Sequence, residues 1–520
     1  MQSDKEKIIN NNELPKSIRS IVRMYPSNQV NRQHYGGLPH IGNALWSAWN
    51  SAEVQDAADA YEFYSLSTTL LIEGFEHPTV DKVRLGGGSP ARLAHFNPSV
   101  ENLKKAIDDR TISDYPLAAG DKRDKKAITT NLNNFYCKKI VDNNIIFTHS
   151  STQGFTLIME AILDYGDVVI MTAPNYGLFS FIPERTGGKV ELLNLSEENG
   201  WKIDPNKLKE MIIKINKELK TDYDRNRSKY IFRKSDTPPK VTSFLNINPH
   251  NPTGVVYGED DRDLLSSISS ICNDEGVLVI DDLAYEGLEY DRNNKTLPLA
   301  SLDTGFDNVV SLYTLSKSYG LAGLRSGMII ANEIIISLIR DRVFQATDSL
   351  SIVQSSSMSA IFPNSQKDID VKEKYLSDVC SEYKKRYIFV KAIIEGVKSL
   401  NDDEKNILNY IVDQNNLNLT DSSVFEGSED IEMVIEPESG FFILLDLSKI
   451  IGKKYNDFVV SDEKTLLQFL YTSSNIKVLT GKAFCWPNKG QLIIRTTTAF
   501  DYEELLSSYL RLKLSLRSLV

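Results

Sequence analysis

The stretch SLYTLSKSYGLAGLRSG, residues 311–327, runs from an apolar segment into a hydroxyl-rich turn, then Lys317, then Arg325 eight residues later. A lysine that is to form a Schiff base needs a rigid strand end, shielding from water and a depressed pKa. Neighbouring cations lower that pKa, and Thr314, Ser316 and Arg325 are the donors and charge that a bound phosphate requires. Taken alone, Lys317 is equally an ordinary lysine after a strand. NPHNPTG, 248–254, is a stiff turn that would hold Asn251 on a fixed backbone, where its amide could donate to a phenolic oxygen; by itself it is simply a proline-rich turn. VIDDLAYEGL, 279–288, ends an apolar run in two carboxylates, with Tyr285 three residues beyond Asp282. A buried carboxylate there wants a cation such as a protonated ring nitrogen, while the plainer reading is a helix N-cap.

Three weaker signals accompany these. In FTHSSTQGF, 147–155, Ser150, Ser151 and Thr152 stand where a strand meets a helical stretch, an anion site or an unliganded cap. Tyr176 follows a strand in Pro-Asn-Tyr and could stack on an aromatic ring. Arg495 ends the run QLIIR, where an arginine can grip a carboxylate with two parallel hydrogen bonds or simply form a surface ion pair.

The elements that would position these residues are short apolar runs alternating with amphipathic helices: NIIFT (144–148), DVVIMTA (167–173), VTSFLNIN (241–248), GVLVIDD (276–282), NVVSLYTL (308–315) and GMIIA (327–331). Continuous apolar strands separated by helices imply an α/β fold with a largely parallel sheet covered on both faces. Further on, long charged helices mix with strands at GFFILLDL (440–447) and GQLIIRTT (490–497), a smaller α+β region, and the polar segment 401–430 reads as an insertion or loop. A chain of 520 residues is too long for one core, so the expected division is an N-terminal arm or cap over 1–82, a large domain over 83–344 and a small C-terminal domain over 345–520. The Ala-rich run 51–66 reads as a helix of the arm. A net charge of −11 argues against a nucleic-acid partner, which would want a basic face. Four scattered cysteines form no C-x-x-C pair, so neither a disulfide framework nor a zinc site is expected. The polar start and the lack of an apolar stretch of ~20 residues point to a cytoplasmic protein without a membrane span.

In order, the hydroxyl turn, P-x-Y, NPHNPTG, D-x-A-Y, the S-K pair with its arginine, and the late strand arginine together resemble the class I/II aminotransferases of pyridoxal phosphate (PLP) fold type I, over roughly residues 83–515. The resemblance implies a large domain with a mostly parallel mixed sheet, a smaller C-terminal domain, and PLP as cofactor. It implies that Lys317 carries the cofactor and shuttles the proton, Asp282 pairs with the ring nitrogen, Tyr285 and Asn251 hold the phenolic oxygen, and Tyr176 stacks on the ring. Ser151, Thr152, Thr314, Ser316 and Arg325 would hold the phosphate, and Arg495 the substrate α-carboxylate. Gly88, in VRLGGGSP (83–90), matches a glycine-containing loop near the substrate. Tyr115, in DYPLAAG, matches a tyrosine that reaches the phosphate of a neighbouring subunit, which implies a homodimer with shared sites. The implied reaction moves an amino group between an L-amino acid and a 2-oxo acid by ping-pong turnover. The chain departs from the family's usual pattern at Ser150-Ser151, where glycine is common, at Thr314, where serine is, in two insertions, and in the roughly eighty residues before the match.

Related lyases, decarboxylases and oxidases share the same constellation, so the motifs barely separate them from a transaminase. A PLP-binding transcription regulator is the rival of another class; it would need a basic helix-turn-helix head, and residues 1–80 are too rich in Trp and Ala for one.

Overall fold

Strands Val168–Ala173 (β2), Val241–Ile247 (β4), Leu278–Asp282 (β5) and Val309–Thr314 (β6) are buried along their whole lengths, as runs of β-branched and apolar residues must be when both faces of a sheet are covered. In the computed structural model, which describes residues 81–520 apart from 91–92, 110, 135, 137, 303–305, 416 and 418–421, they belong to a seven-stranded sheet of order β1-β7-β6-β5-β4-β2-β3. The remaining members are Ile145–Thr148 (β1), Lys189–Asn194 (β3) and Gly327–Ile330 (β7). β3, β2, β4, β5 and β6 are mutually parallel; β7 runs against both β6 and β1. The sheet is therefore mixed and mostly parallel, as expected. The expected arm, with its helix over 51–66, lies outside the described residues but for its last two.

The period-two alternation of each strand divides the interior in two. Val168 and Ile170, Phe244, Val279, Val309 and Met328 face one core; Val169 and Met171, Leu245, Ile280, Val310 and Ile329 face the other. Each such side chain contributes roughly 1.5–3 kcal/mol by burial, so the site's platform rests on both faces of the sheet. β1, β2, β4, β5 and β6 all end at the same edge, the edge where ligands of open α/β sheets bind.

A four-stranded antiparallel sheet stands beside it, Leu479–Thr480 (β12), Ile493–Thr497 (β13), Phe442–Asp446 (β9) and Glu432–Met433 (β8), with its own apolar core. A helix of 30 residues, Gln366–Glu395, packs into that core through Ile388–Ile394. The division expected at 344 falls inside helix Glu333–Thr347. The polar segment 401–430 is not a simple loop: Asp402–Gln414 is a helix with a capping box of Asn401 and Glu404, and it buries only Leu408 and Ile411. So narrow an apolar stripe is easily lost in a polar composition.

Candidate active site

Twelve of the thirteen sequence-selected residues line one cavity of about 160 Å³ at the strand ends: Gly88, Ser151, Thr152, Tyr176, Asn251, Asp282, Tyr285, Thr314, Ser316, Lys317, Arg325 and Arg495. Tyr115 is not among them; it stands 90% exposed beside the exposed Ile112 and Leu117.

The main sheet supplies most of the walls. β6 ends at Thr314, whose hydroxyl lies 2.9 Å from that of Ser316 and 2.9 Å from the carbonyl of Ser326. Lys317 follows and donates from Nζ to the carbonyl of Gly88. Burial lowers its pKa to about 8, helped by Arg495 and Arg325 and opposed by Asp282. Asp282, the last residue of β5, is buried and accepts from the backbone N–H of Ala284. Burial pushes its carboxyl up to about 7; the Ala284 N–H opposes this and Asp281 adds to it. The N–H groups of helix Ser150–Ile162 open towards the cavity beneath Ser151 and Thr152, a favourable end for an anion. Arg325 donates to the Ser150 hydroxyl at 2.8 Å.

The other wall comes from distant parts of the chain. Arg495 sits in mid-strand, paired on one side with Leu479 and on the other with Leu444. Its guanidinium lies 3.8 Å over the Phe442 ring and donates at 3.2 Å to Asn251 Oδ1 and at 3.2 Å to the Gly86 carbonyl. Its Nε is buried without a hydrogen-bond partner. Gly86 is required where it stands: a Cβ there would lie 2.7 Å from the backbone nitrogen of Leu479. That close approach brings the 86–88 segment over Lys317.

Charge in the cavity is unbalanced. Lys317, Arg325 and Arg495 face a single carboxylate, Asp282, among the described lining residues. Together with the unsatisfied Arg495 Nε, this calls for anionic groups. Hydroxyls and a helix N-terminus at one end suit a phosphate, and Asp282 at the other suits a protonated ring nitrogen, so the residues present fit PLP.

Sequence reading missed Gly86, Ala284, Ala322, Phe442 and Leu479 as lining residues. Ala284 and Ala322 sat inside recognised motifs. Phe442 and Leu479 carry no local signal; only the pairing of β9 and β12 with β13 brings them to Arg495.

The family model of "Aminotransferase class I and II" matches residues 80–407. An LL-diaminopimelate aminotransferase of Nitratidesulfovibrio vulgaris is 24% identical over 286 residues, covering 53% of this chain and 65% of that protein. A protein of Methanocaldococcus jannaschii named "Probable aspartate aminotransferase" is 22% identical over 450 residues, 85% of this chain and 95% of its own. The fold is that of the aspartate aminotransferase from Rhizobium meliloti, with a TM-score of 0.65 at 18% identity, covering 90% of this chain and 97% of that one. No helix among the described residues is long and apolar enough to cross a membrane.

Proposed function

From the premise that this chain belongs to the class I and II aminotransferases, we propose that Lys317 is the residue that carries the cofactor and moves the proton in a transfer of the amino group from an L-amino acid to a 2-oxo acid. The observation that carries the reading is the placement of an amine with lowered pKa, a buried carboxylate and an arginine with an unpaired Nε around one cavity. PLP, when bound, supplies a reactive carbonyl carbon and an electron sink.

The chain's own residues divide the remaining work. Lys317 Nζ, with a pKa near 8 instead of the ordinary 10.5, is far more readily neutral than a free lysine, and the neutral amine can take a proton from the substrate Cα and return it elsewhere. Asp282 is the acceptor for a ring N–H and keeps that nitrogen protonated. Asn251 and Tyr285 would hold the phenolic oxygen, and Tyr176 would stack on the ring. Ser151, Thr152, Thr314, Ser316 and Arg325 would hold the phosphate. Arg495, held flat by Phe442, presents its guanidinium to the substrate α-carboxylate, and Gly88 leaves room above Lys317. A second copy of the chain completes the site with Tyr115, in keeping with the exposure of Tyr115, Ile112 and Leu117 on one segment.

Borohydride reduction of the PLP-loaded protein should fix the pyridoxyl group on Lys317, read by peptide mass, and incubation with a panel of amino acids should yield a 2-oxo acid. A chain that binds no PLP sinks the reading. Carbon dioxide, ammonia or peroxide as the product would move the reaction to the lyases, decarboxylases or oxidases.

A further inference from the structure

Two loops that flank the phosphate end of the cavity each carry a non-glycine residue in the left-handed region: Ser150 at φ 74° and Arg325 at φ 52°. Such conformations cost on the order of 1–3 kcal/mol each and persist only where the surroundings hold them. The loops also meet backbone to backbone, since a Cβ on Gly327 would lie 2.7 Å from the carbonyl carbon of Ser150.

What holds them is a side chain outside the cavity. Gln354, on helix Ile352–Ser359, turns one N–H of Nε2 to the adjacent carbonyls of Arg325 at 2.8 Å and Leu324 at 3.2 Å, which share it, and leaves the other free to donate. The same nitrogen lies 2.8 Å from His149 Nδ1, the residue next to Ser150. An amide nitrogen only donates, so His149 accepts through Nδ1 and is neutral there. Burial, and then Arg325, keep the imidazole below its ordinary pKa, which agrees with that role. Turning the amide over would aim its oxygen at two carbonyls; as it stands, Oε1 is buried without a partner. The helix is itself moored, with the Gln354 carbonyl accepting from Ser326 Oγ at 2.8 Å and Ser355 Oγ donating to Asp124 at 2.6 Å.

We propose that Gln354 is a positioning residue for the cofactor phosphate: its amide fastens the 149–152 loop to the 322–327 loop, and so sets the distance between the helix N-terminus with its hydroxyls and Arg325, without touching the phosphate. The inference rests on reading this end of the cavity as the phosphate site. Gln354→Met keeps the volume and removes the donor. The proof lies in comparing PLP with pyridoxal, which lacks the phosphate, by absorbance titration of the cofactor-free protein. PLP affinity should fall at least tenfold while pyridoxal affinity changes less than twofold, and inorganic phosphate should compete with PLP more weakly than in the wild type. Unchanged PLP affinity, or an equal loss for PLP and pyridoxal, overturns the proposal. If Gln354→Met fails to fold by circular dichroism, Gln354→Glu, which retains shape and polarity but replaces the donor by an acceptor, is read by the same ratio. A wild-type chain that binds no PLP overturns both this inference and the reading of the site; a wild type that binds, with variants that match it, overturns this inference alone.

Discussion

The two ends of the cavity are built on different plans. The ring and phosphate end is made by consecutive strand ends of one sheet, so Asp282, Thr314, Ser316 and Lys317 inherit their positions from β5 and β6, which lie side by side. The carboxylate end is assembled from Gly86, Asn251, Phe442 and Arg495, which span 409 residues from the first to the last and meet through hydrogen bonds and one ring contact. A strand end on a two-faced core is stiff. A guanidinium held by a glycine segment and a second sheet depends on how the two sheets sit together. The first end should therefore govern chemistry and cofactor, the second the grip on substrate.

The largest test of that division is Lys317→Ala. It removes both the proton carrier and the covalent anchor, so turnover should fall by more than the ~10²–10⁴-fold of acid–base help alone. Arg495 remains in place, so a substrate-like dicarboxylate or monocarboxylate should still bind, measured by calorimetry with PLP present. Loss of that binding along with turnover would show the two ends to be one unit.

Asp282→Asn comes next. Losing a charge aimed at the ring should cost kcat about 10²–10³-fold, the scale of one preorganised electrostatic contact. A second readout isolates the carboxyl. In the cofactor-free protein its pKa is near 7, against 3.8 as an ordinary aspartate. Between about pH 4 and 7 the folded chain keeps a proton there that the unfolded chain has lost, so stability falls as pH rises, by at most ~1.4 kcal/mol per pH unit for this one group. Asp167 and Asp281, each pushed by burial to about 6, act in the same sense. The difference in melting temperature between Asp282→Asn and wild type should therefore widen from pH 5 to pH 7, in favour of the variant. A constant difference would mean that Asp282 is ionised in the folded protein.

This difference between the ends also explains what could be read in the sequence. At the sheet end, a motif is a strand plus its turn, so NPHNPTG, VIDDLAY and LYTLSK each carried their geometry with them. The apolar runs named six of the seven strands; β3, KVELLN, was missed because only Val190 and Leu193 are buried and its charges mask it. At the far end, Arg495 was legible as a strand arginine and Gly86 lay within the recognised VRLGGGSP segment, but the Phe442 platform and the need for glycine at 86 were not, because both arise from contacts with distant strands. Gln354 was invisible for a related cause: its partners are backbone carbonyls and a histidine nitrogen, none of which leaves a sequence mark.

Arg495→Lys should be milder than either substitution at the sheet end. Charge is kept, but the planar pair of donors is lost. Losing a charge-assisted hydrogen bond worth about 1.5–3 kcal/mol should lower kcat/KM ~10–150-fold, chiefly through KM. Steady-state kinetics decide: a fall in kcat with unchanged KM would put Arg495 in the chemistry and erase the distinction between the ends.

The smallest effect sharpens the comparison by adding a contributor that lies in neither end of one chain. Tyr115 is exposed and does not line its own chain's cavity, so in a monomer its hydroxyl has no place at the cofactor. In a dimer with shared sites it would donate one hydrogen bond to the partner's phosphate, worth about 0.5–1.5 kcal/mol net. Tyr115→Phe should then raise the PLP dissociation constant only ~2–12-fold. The effect must follow assembly: sedimentation velocity fixes the concentration at which the chain dimerises, and the variant and wild type should differ in PLP affinity above it and converge below it. A difference that persists in the monomer would place Tyr115 at its own site by a movement of the 111–120 segment. No difference at any concentration would leave the phosphate to the loops of one chain, and the stiff end of the cavity would be complete without a partner.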